Sequence, residues 1–359
     1  MRERARSLGL PVAPGPVALG LAGLALAACA GRLPPPPGPP AVEPPPTSEP
    51  HAAGEVSPPV MLEPREPPIP PPTWIVPTLR WTPAAPMEGS VIALWIDQPA
   101  GGRAPMRVEA ELAGVPVPFI RRRGGWFGIA PLPIESAGVR FLKIRFFLAP
   151  ERTIDQLRIL RVGSRHYPAI RLRVGSRFTD PSPETVERLA RERARIGETI
   201  GRVSPAWLAV GGFGWPRRTR VTSPFGQRRL LNGQLRTRHL GLDLAGRRGE
   251  LVRAAATGRV VLTGRFLLQG NAVYLDHGLG VYTGYFHLSD VGVREGELVR
   301  GGQLLGHVGS TGRVTGPHLH WSLYVGGASL DPSSLLALEL PAASELLPVR
   351  HLSAGTPTR

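Results

Sequence analysis

The chain has 359 residues, of which 42% are hydrophobic, and this length is typical of about two domains together with unfolded segments. Its single cysteine excludes a disulfide framework and a cysteine-rich structural zinc site. The formal net charge of +16 comes almost wholly from arginine, because Lys143 is the only lysine. Such a surface favours polyanions, among them cell-wall glycopeptide, anionic lipid and nucleic acid, although a solvated arginine-rich surface without a specific partner explains the charge equally well.

The first 29 residues have the pattern of an export signal. Three arginines among the first six residues precede an uncharged apolar run at residues 17–28. That run is too short for a transmembrane helix, which needs about 20 residues, and is typical of a secretory signal peptide. It ends in Leu26-Ala27-Ala28-Cys29, which resembles the lipobox of bacterial lipoproteins. We expect residues 1–29 to be a lipoprotein signal peptide with lipidation at Cys29; the alternative is an ordinary signal peptide with a chance cysteine.

The signal also predicts a location. Ala30 rather than aspartate follows the cysteine, which by the same resemblance favours the outer membrane of a two-membrane bacterium. We therefore expect an exported, periplasmic protein that is lipid-anchored to the outer membrane and has no nucleic-acid partner. Residues 30–75 are rich in proline and predict a disordered linker of polyproline II character. Such a linker could span on the order of 100 Å between a membrane and the cell wall.

Residues 76–178 carry the pattern of short strands. Residues 91–96 are a continuous apolar run, and apolar residues alternate with polar ones in two later segments, at Leu142, Ile144, Phe146 and Leu148 and at Ile170, Leu172 and Val174. Glycine and proline turns separate the segments. This pattern predicts a small antiparallel β-sandwich, immunoglobulin-like in size. His166 has no partner at ligand spacing, and we expect it to be structural.

Residues 179–202 predict a helix that links two domains. Ser182-Pro183-Glu184 provides an N-cap residue, a proline at the first helical position and an acidic first turn. Four apolar residues follow at helical spacing, and Glu187 can pair with Arg191 one turn later. We expect the helix to end near Gly201.

Residues 217–337 contain no helical pattern, and frequent glycines predict an all-β domain with tight turns, followed by a tail at residues 338–359. Two histidines and one carboxylate from distant segments of this domain can bind one zinc ion and leave a coordination position open, as catalytic zinc requires. The candidate pairs are His239 with Asp243, four residues apart, and His318 with His320, two apart.

A strand containing His318 and His320 would direct both imidazoles to one side, and Leu319 and Trp321 to the other. His320 can then bind a metal while His318 contacts the same water. His287, after an apolar strand-like segment, supplies a further imidazole.

The order and spacing of several motifs resemble those of the lysostaphin-type zinc metallopeptidases. The resemblance covers the C-terminal half of the chain and does not extend to the sandwich. The motifs are Ser223-Pro224-Phe225-Gly226, His239-Leu240-Gly241-Leu242-Asp243, Gly270-Asn271-Ala272-Val273, Asp276-His277-Gly278, Tyr285-Phe286-His287-Leu288-Ser289, Gly309-Ser310-Thr311-Gly312 and Thr315-Gly316-Pro317-His318-Leu319-His320-Trp321.

The resemblance implies a mainly β fold whose catalytic domain is similar to the duplicated hybrid motif, with one zinc ion per chain. Carried over by position, it implies metal ligands at His239, Asp243 and His320 and catalytic imidazoles at His287 and His318. The implied reaction is hydrolysis of peptide cross-links in peptidoglycan, of the DD-endopeptidase type. Zinc lowers the pKa of water toward ~7. His318 could take the proton and His287 steady the oxyanion, and the assignment between the two stays open.

One departure from the family concerns oxyanion stabilisation, because residues 222–238 lack the tyrosine that members often carry there. The role would pass to His287, a backbone amide or an arginine such as Arg228. We expect structural roles for the remaining motif residues. His277 should be a turn residue, and His307 should have no special role or support the site from outside the ligand set. Asn271 should tie a loop to its neighbour, and Trp321 and Tyr324 should be packing residues.

Two alternatives to a wall endopeptidase stay open. Some relatives have lost the zinc ligands and activate separate cell-wall amidases by binding them, and the five retained positions argue against this non-catalytic role. The second is a general extracellular protease. The sequence does not show whether an activator protein is needed.

Overall fold

The computed structural model describes residues 75–102, 104–172, 182–231 and 234–347. The expected signal peptide, lipidated Cys29, nearly all of the proline-rich linker and the end of the tail lie outside these residues. The described chain is mainly β, as predicted. Its first eight strands are β1 Thr78–Thr82, β2 Ser90–Asp97, β3 Arg107–Leu112, β4 Val115–Val117, β5 Phe119–Arg122, β6 Gly125–Leu132, β7 Gly138–Ala149 and β8 Arg152–Val162.

These eight strands form two four-stranded antiparallel sheets, with strand orders β1-β2-β6-β5 and β4-β3-β7-β8. Alternate residues of the two sheets meet in one apolar core, as the two-residue period requires. The predicted inward phase of β7 is confirmed, because its four members are all buried: Leu142, Ile144, Phe146 and Leu148. The immunoglobulin-like classification stays a prediction.

The remaining elements follow in chain order. They are β9 Ala169–Leu172, helix α1 Pro183–Ile200, β10 Val221–Ser223, β11 Arg228–Leu231, β12 Gln234–Arg238, β13 Leu242–Ala245, β14 Leu251–Arg253, β15 Gly258–Phe266, β16 Gly270–Gly278, β17 Val281–Val291, β18 Leu298–Val299, β19 Leu304–Val308, β20 His318–Val325 and β21 Ala328–Leu330.

The assignment of the alternating segment at residues 170–174 to the sandwich was wrong. Its described part, β9, pairs in parallel with β11, with Ile170 opposite Arg229, and forms a three-stranded sheet with β11 and β12. Period-two alternation identifies a strand but carries no information about the strand's partner. As a result, the chain that leaves the sandwich supports the hairpin that leads into the C-terminal domain.

Helix α1 begins where the sequence predicts. The Ser182 hydroxyl accepts a hydrogen bond from the backbone N–H of Thr185, and Gly201 caps the other end. Glu187 and Arg191 form the predicted ion pair. The apolar face is buried only in the second half of the helix, where Ile196 and Ile200 pack against strands of the C-terminal domain.

The C-terminal domain is built on a ten-stranded antiparallel sheet. Its main path is β10-β13-β20-β17-β16-β15-β18. Off this path, β19 pairs with β17 and with β14, and β21 pairs with β20. A 3-10 helix at Pro332–Ala337 interrupts the expected all-strand segment, and Asp331 caps it. Within the described residues, no helix combines the length and apolarity needed to cross a membrane.

Strand β2 explains how the two domains are joined. Residues 92, 94 and 96 face the sandwich core, whereas residues 91, 93 and 95 enter a second core that contains Val281, Leu323 and Leu330 of the C-terminal domain. A strand covered on both faces requires a continuous apolar run, which the sequence Val91–Ile96 supplies. An ion pair between Arg165 and Asp331 (2.5 Å) also crosses this interface.

Candidate metal centre

Two neighbouring strands place the central side chains of the site. Strands β13 and β20 pair antiparallel, with Asp243 opposite His320 and Ala245 opposite His318. Residues directly opposite each other project to the same face of a sheet. The other face carries Leu319 and Trp321, which are fully buried in the main core. His318 and His320 therefore share the exposed face with Asp243, as expected for a strand.

His239 joins this face from the segment between β12 and β13. Its Nε2 lies 3.0 Å from Oδ1 of Asp243 and 3.0 Å from Nδ1 of His320. Nδ1 of His320 lies 2.8 Å from the same Asp243 oxygen. The structure thus brings three ligand atoms within hydrogen-bonding distance of one another, and these belong to the three residues predicted as metal ligands.

The hydrogen bonds around the three ligands determine which atoms carry protons. Nδ1 of His239 is 3.0 Å from the Pro224 carbonyl oxygen, which can only accept, so this nitrogen carries the proton. The Ser322 hydroxyl donates to the Leu240 carbonyl (3.3 Å) and accepts from Nε2 of His320 (2.9 Å). The nitrogens that face the cluster are consequently unprotonated. Such outer partners are what fix the tautomers of metal-binding histidines.

A zinc ion fits this arrangement. Two imidazole lone pairs and one carboxylate oxygen converge, and three acceptors at this separation repel one another unless a cation lies among them. Tetrahedral zinc with bonds of about 2.1 Å spaces its ligands by about 3.4 Å, so only a small expansion is required. The donor set of two nitrogens and one oxygen is a zinc set, and three protein ligands leave the fourth position open.

His287 and His318 lie beside the cluster with their rings held by carbonyl groups. Nδ1 of His287 donates to the Thr311 carbonyl (3.0 Å), and Nδ1 of His318 donates to the Gly316 carbonyl (2.9 Å). Their ring centroids are 4.9 Å apart. Nε2 of His318 is 3.6 Å from Oδ1 of Asp243. Each ring therefore retains a lone pair on Nε2.

The backbone at His287 is strained. This residue has a φ of +65°, which residues other than glycine rarely adopt. Strand β17 passes through this position and continues to Val291. The ladder between β17 and β19 shifts register in this region. Strain of this kind persists where surrounding structure fixes it, and it is concentrated at functional sites.

The electrostatics of the site favour the neutral form of two imidazoles, those of His320 and His287. Burial lowers the pKa of His320, and burial together with the neighbouring His320 and His318 lowers the pKa of His287 to about 3. Burial raises the pKa of Asp243, but its contacts with the imidazoles of His239 and His320 outweigh burial and the net direction is downward. At neutral pH the site thus presents neutral imidazoles at His287 and His320 and an anionic carboxylate at Asp243.

Close packing holds the His320 ring in place. The Phe286 ring stacks on it with a centroid distance of 5.3 Å and an interplanar angle of 7°. On another side, a Cβ atom placed on Gly241 would lie 2.4 Å from Nε2 of His320. Position 241 therefore has to be glycine, because the side chain of any other residue would displace the His320 ring from its place as a metal ligand.

The other motif residues have structural roles. The Asn271 side chain donates to the carbonyls of Leu288 and Ser289, so this strand residue of β16 ties the neighbouring strand β17 rather than the expected loop. Trp321 is a core residue, as predicted, and Tyr324 packs against the cluster that contains Phe286.

The description of His277 as a turn residue was wrong, because it lies in β16 and is fully buried. Its ring bonds the Thr257 carbonyl (2.8 Å) and the Thr283 hydroxyl (2.7 Å).

The structure also locates three residues near the site that are not among its five predicted members: His307, Arg228 and Ser322. His307 contacts the Asp290 carboxylate at 2.8 Å. Arg228 is exposed, and its backbone N–H donates to the Pro168 carbonyl. Sequence reasoning missed Ser322, although its position two residues after His320 on the same strand could have indicated it.

Comparisons with known proteins agree with this geometry. Residues 237–332 match the family model described as Peptidase family M23. The chain is 45% identical over 129 residues to DD-carboxypeptidase/endopeptidase Mpg of Neisseria meningitidis serogroup B. It is 40% identical over 129 residues to peptidoglycan DD-endopeptidase ShyC of Vibrio cholerae. Each alignment covers 35% of this chain and only 29% of the relative.

A solved structure extends the likeness beyond the matched segment. A crystal structure of a Pseudomonas aeruginosa protein named for peptidase M23 has a TM-score of 0.54 and 29% identity, and the match covers 70% of this chain and 95% of that one. The family match spans all three ligand positions and both neighbouring imidazoles. The C-terminal domain of this chain therefore contains a segment similar to Peptidase family M23, and that segment holds the whole candidate metal centre.

Proposed function

We propose that this protein is a zinc-dependent endopeptidase that hydrolyses peptide cross-links of peptidoglycan, with DD-endopeptidase specificity. The observation that carries the proposal is the convergence of His239, Asp243 and His320, with two further imidazoles beside them whose Nε2 lone pairs are free for proton transfer. The substrate class comes from the relatives, one named a DD-carboxypeptidase/endopeptidase and another a peptidoglycan DD-endopeptidase.

Zinc at such a site acts as a Lewis acid that polarises a carbonyl group and makes water nucleophilic near neutral pH. His318 then acts as the general base, because its Nε2 lone pair lies next to the Asp243 oxygen, on the exposed face of β20. The protonated ring can deliver the same proton to the leaving amine. The Gly316 carbonyl keeps the ring oriented throughout.

His287 supports a different step. In the neutral ring the only proton is on Nδ1, which is bonded to the Thr311 carbonyl, so Nε2 offers a lone pair and no donor. His287 can therefore steady an oxyanion only after Nε2 has taken up a proton. The attacking water carries two protons, so Nε2 of His318 can take one and Nε2 of His287 the other, and both are finally delivered to the leaving amine. The two ring centroids are 4.9 Å apart.

The non-catalytic alternative is less well supported. A protein that only binds and activates an amidase has no need for three converging acceptors, or for the Ser322 and Pro224 groups that fix their tautomers. A general extracellular protease would use the same zinc chemistry, so only the substrate separates it from a wall enzyme.

The decisive experiment is digestion of purified cross-linked sacculi by the full chain, with mass spectrometry of the released muropeptides. We expect cross-linked dimers to be converted to monomers, and a chelator to stop the conversion. His318→Ala should retain one zinc per chain and lose turnover, whereas the matched control His166→Ala, an exposed histidine outside the site, should behave as wild type. Intact dimers with zinc-loaded wild type would refute the endopeptidase. Cleavage of casein at a comparable rate would favour the general protease.

We also propose that Cys29 is lipidated and anchors the protein to the outer membrane, with the proline-rich segment as the tether to the wall. Cys29→Ser should move the protein from the membrane fraction to the soluble fraction. Membrane fractionation that is unchanged in this variant would refute the anchor. An activator protein is left open by these observations.

A further inference from the structure

One cavity of about 680 Å³ contains both the reacting centre and a group of arginines. Its lining includes Asp243 and His318 of the candidate metal centre together with Arg218, Arg220 and Arg247. A substrate whose scissile bond lies at Asp243 and His318 can therefore place an anionic group beside these arginines. In a peptide, that group is a carboxylate.

The sheet register sets the separation between the backbones of Arg220 and His318. The N–H of Ala245 donates to the Arg220 carbonyl (3.0 Å), and Ala245 lies opposite His318 on β20. Two strand spacings put the Arg220 and His318 backbones about 10 Å apart, which is about three residues of extended peptide. A bulge between Val221 and Ser223 shifts the register on β10. Bulges next to active sites commonly redirect side chains in this way.

Apart from Asp243, the cavity lining contains one carboxylate, that of Glu250, and it is already engaged. Glu250 accepts a hydrogen bond from the backbone N–H of Arg247 and forms an ion pair with Arg217. Arg217 also donates to the carbonyls of Ala245 and Leu251, so its guanidinium is used in holding the local backbone together.

By contrast, Arg218, Arg220 and Arg247 are exposed. No side-chain carboxylate in the described parts of the chain forms an ion pair with any of these three guanidinium groups. Arg218 and Arg220 thus lack a carboxylate partner among the described residues, whereas Arg247 has Glu250 as an electrostatic neighbour beyond ion-pair distance.

We propose that Arg218, Arg220 and Arg247 form a carboxylate-binding arm that selects peptides with a free carboxylate within about three residues of the scissile bond. The planar guanidinium group binds a carboxylate through two parallel hydrogen bonds, which an uncharged carboxamide cannot reproduce. This inference rests on the proposed function and narrows its substrate class. A diaminopimelate cross-link meets the requirement, because each of its amine-bearing centres also carries a carboxyl group.

The test uses two synthetic peptides in which D-alanine is joined to diaminopimelate. They differ only in the diaminopimelate carboxylate beside the scissile amide, which is free in one and a carboxamide in the other. We expect the zinc-loaded full chain to prefer the free carboxylate in kcat/KM by about tenfold to a hundredfold, mostly through KM. The preference should shrink at about 1 M salt, because the arginines are exposed.

The variants Arg220→Gln and Arg218→Gln/Arg220→Gln/Arg247→Gln should reduce the preference toward one. Arg248→Gln is the matched control, because Arg248 is an exposed neighbour of Arg247 that does not line the cavity, and its preference should equal wild type. Equal cleavage of both peptides by wild type, or an unchanged preference in the triple variant, would overturn the arm and leave the endopeptidase intact.

A binding measurement separates the two proposals. His318→Ala protein should bind the fluorescently labelled carboxylate peptide about tenfold more tightly than the carboxamide peptide, and the added Arg220→Gln change should remove the difference. If wild type cleaves neither peptide, the proposed function fails. The binding ratio then decides on the arginine arm alone, and a ratio of one would overturn it.

Discussion

Substituting Gly241 by alanine tests the geometry of the metal centre without removing any ligand. The added Cβ would lie 2.4 Å from Nε2 of His320, 2.7 Å from its Cε1 and 2.7 Å from the Trp321 carbonyl oxygen. Real Cβ atoms do not approach other atoms this closely, so either the imidazole or the backbone must move. Trp321 is fully buried, which leaves the imidazole as the group that yields.

The required movement is large on the scale of a metal bond. An ordinary contact of about 3.4 Å needs a displacement of about 1 Å, whereas zinc–ligand distances tolerate about ±0.2 Å. The Phe286 ring, stacked on the imidazole, limits where it can go. The shift would also break the hydrogen bond between Nε2 and Ser322. Loss of an outer partner alone weakens metal binding about 10–100-fold, so we expect a loss of at least about 100-fold for Gly241→Ala.

Zinc affinity can be measured by competition with a chromophoric chelator, and the fold by circular dichroism and thermal unfolding. Gly197→Ala is the matched control, because Gly197 lies in α1 and a Cβ there meets no atom within 4 Å. That variant should keep wild-type zinc affinity and gain about 0.5–1 kcal/mol of stability from helix propensity. Wild-type zinc affinity in a folded Gly241→Ala protein would refute the packing argument.

Three further outcomes are expected. Asp243→Ala should reduce zinc from one equivalent to none by mass spectrometry, and retained zinc would contradict the ligand set. Ser322→Ala should weaken zinc binding about 10–100-fold in the same chelator competition, because the His320 tautomer loses its partner; unchanged affinity would contradict the tautomer assignment. Burial lowers the pKa of His277 from 6.5 to about 4, so the unfolded chain binds the proton first as pH falls. The free energy of unfolding should then drop by about 3 kcal/mol between pH 6.5 and pH 4, an effect that His277→Gln should flatten in denaturant titrations.

Local patterns in the sequence predicted the parts of the site that depend on a single strand. The two-residue period alone places His318 and His320 on one face, with Leu319 and Trp321 in the core. The pairing that brings Asp243 opposite His320 joins residues 77 positions apart. The apolar pattern within either strand cannot predict which residues of the two strands lie opposite each other. The resemblance to a known family supplied it instead.

Two errors have the same physical origin. Strand β9 was recognised as a strand but assigned to the wrong sheet, because its partner β11 begins more than fifty residues later. His277 has the sequence surroundings of a turn, yet the Thr283 hydroxyl that satisfies its buried ring comes from the neighbouring strand β17. In both cases the deciding contact is tertiary, and local propensity cannot contain it.

The sandwich and the helix support the metal centre and are more than a spacer. Phe286, which stacks on His320, belongs to the apolar cluster that Ile196 and Ile200 of α1 complete. Leu323, on the same strand as His320, enters the core that β2 of the sandwich covers. A ligand is held to a few tenths of an ångström only where the strand that carries it is packed on its neighbours. Removal of the sandwich would expose this core, so the geometry of the zinc site depends on residues far earlier in the chain than the family match.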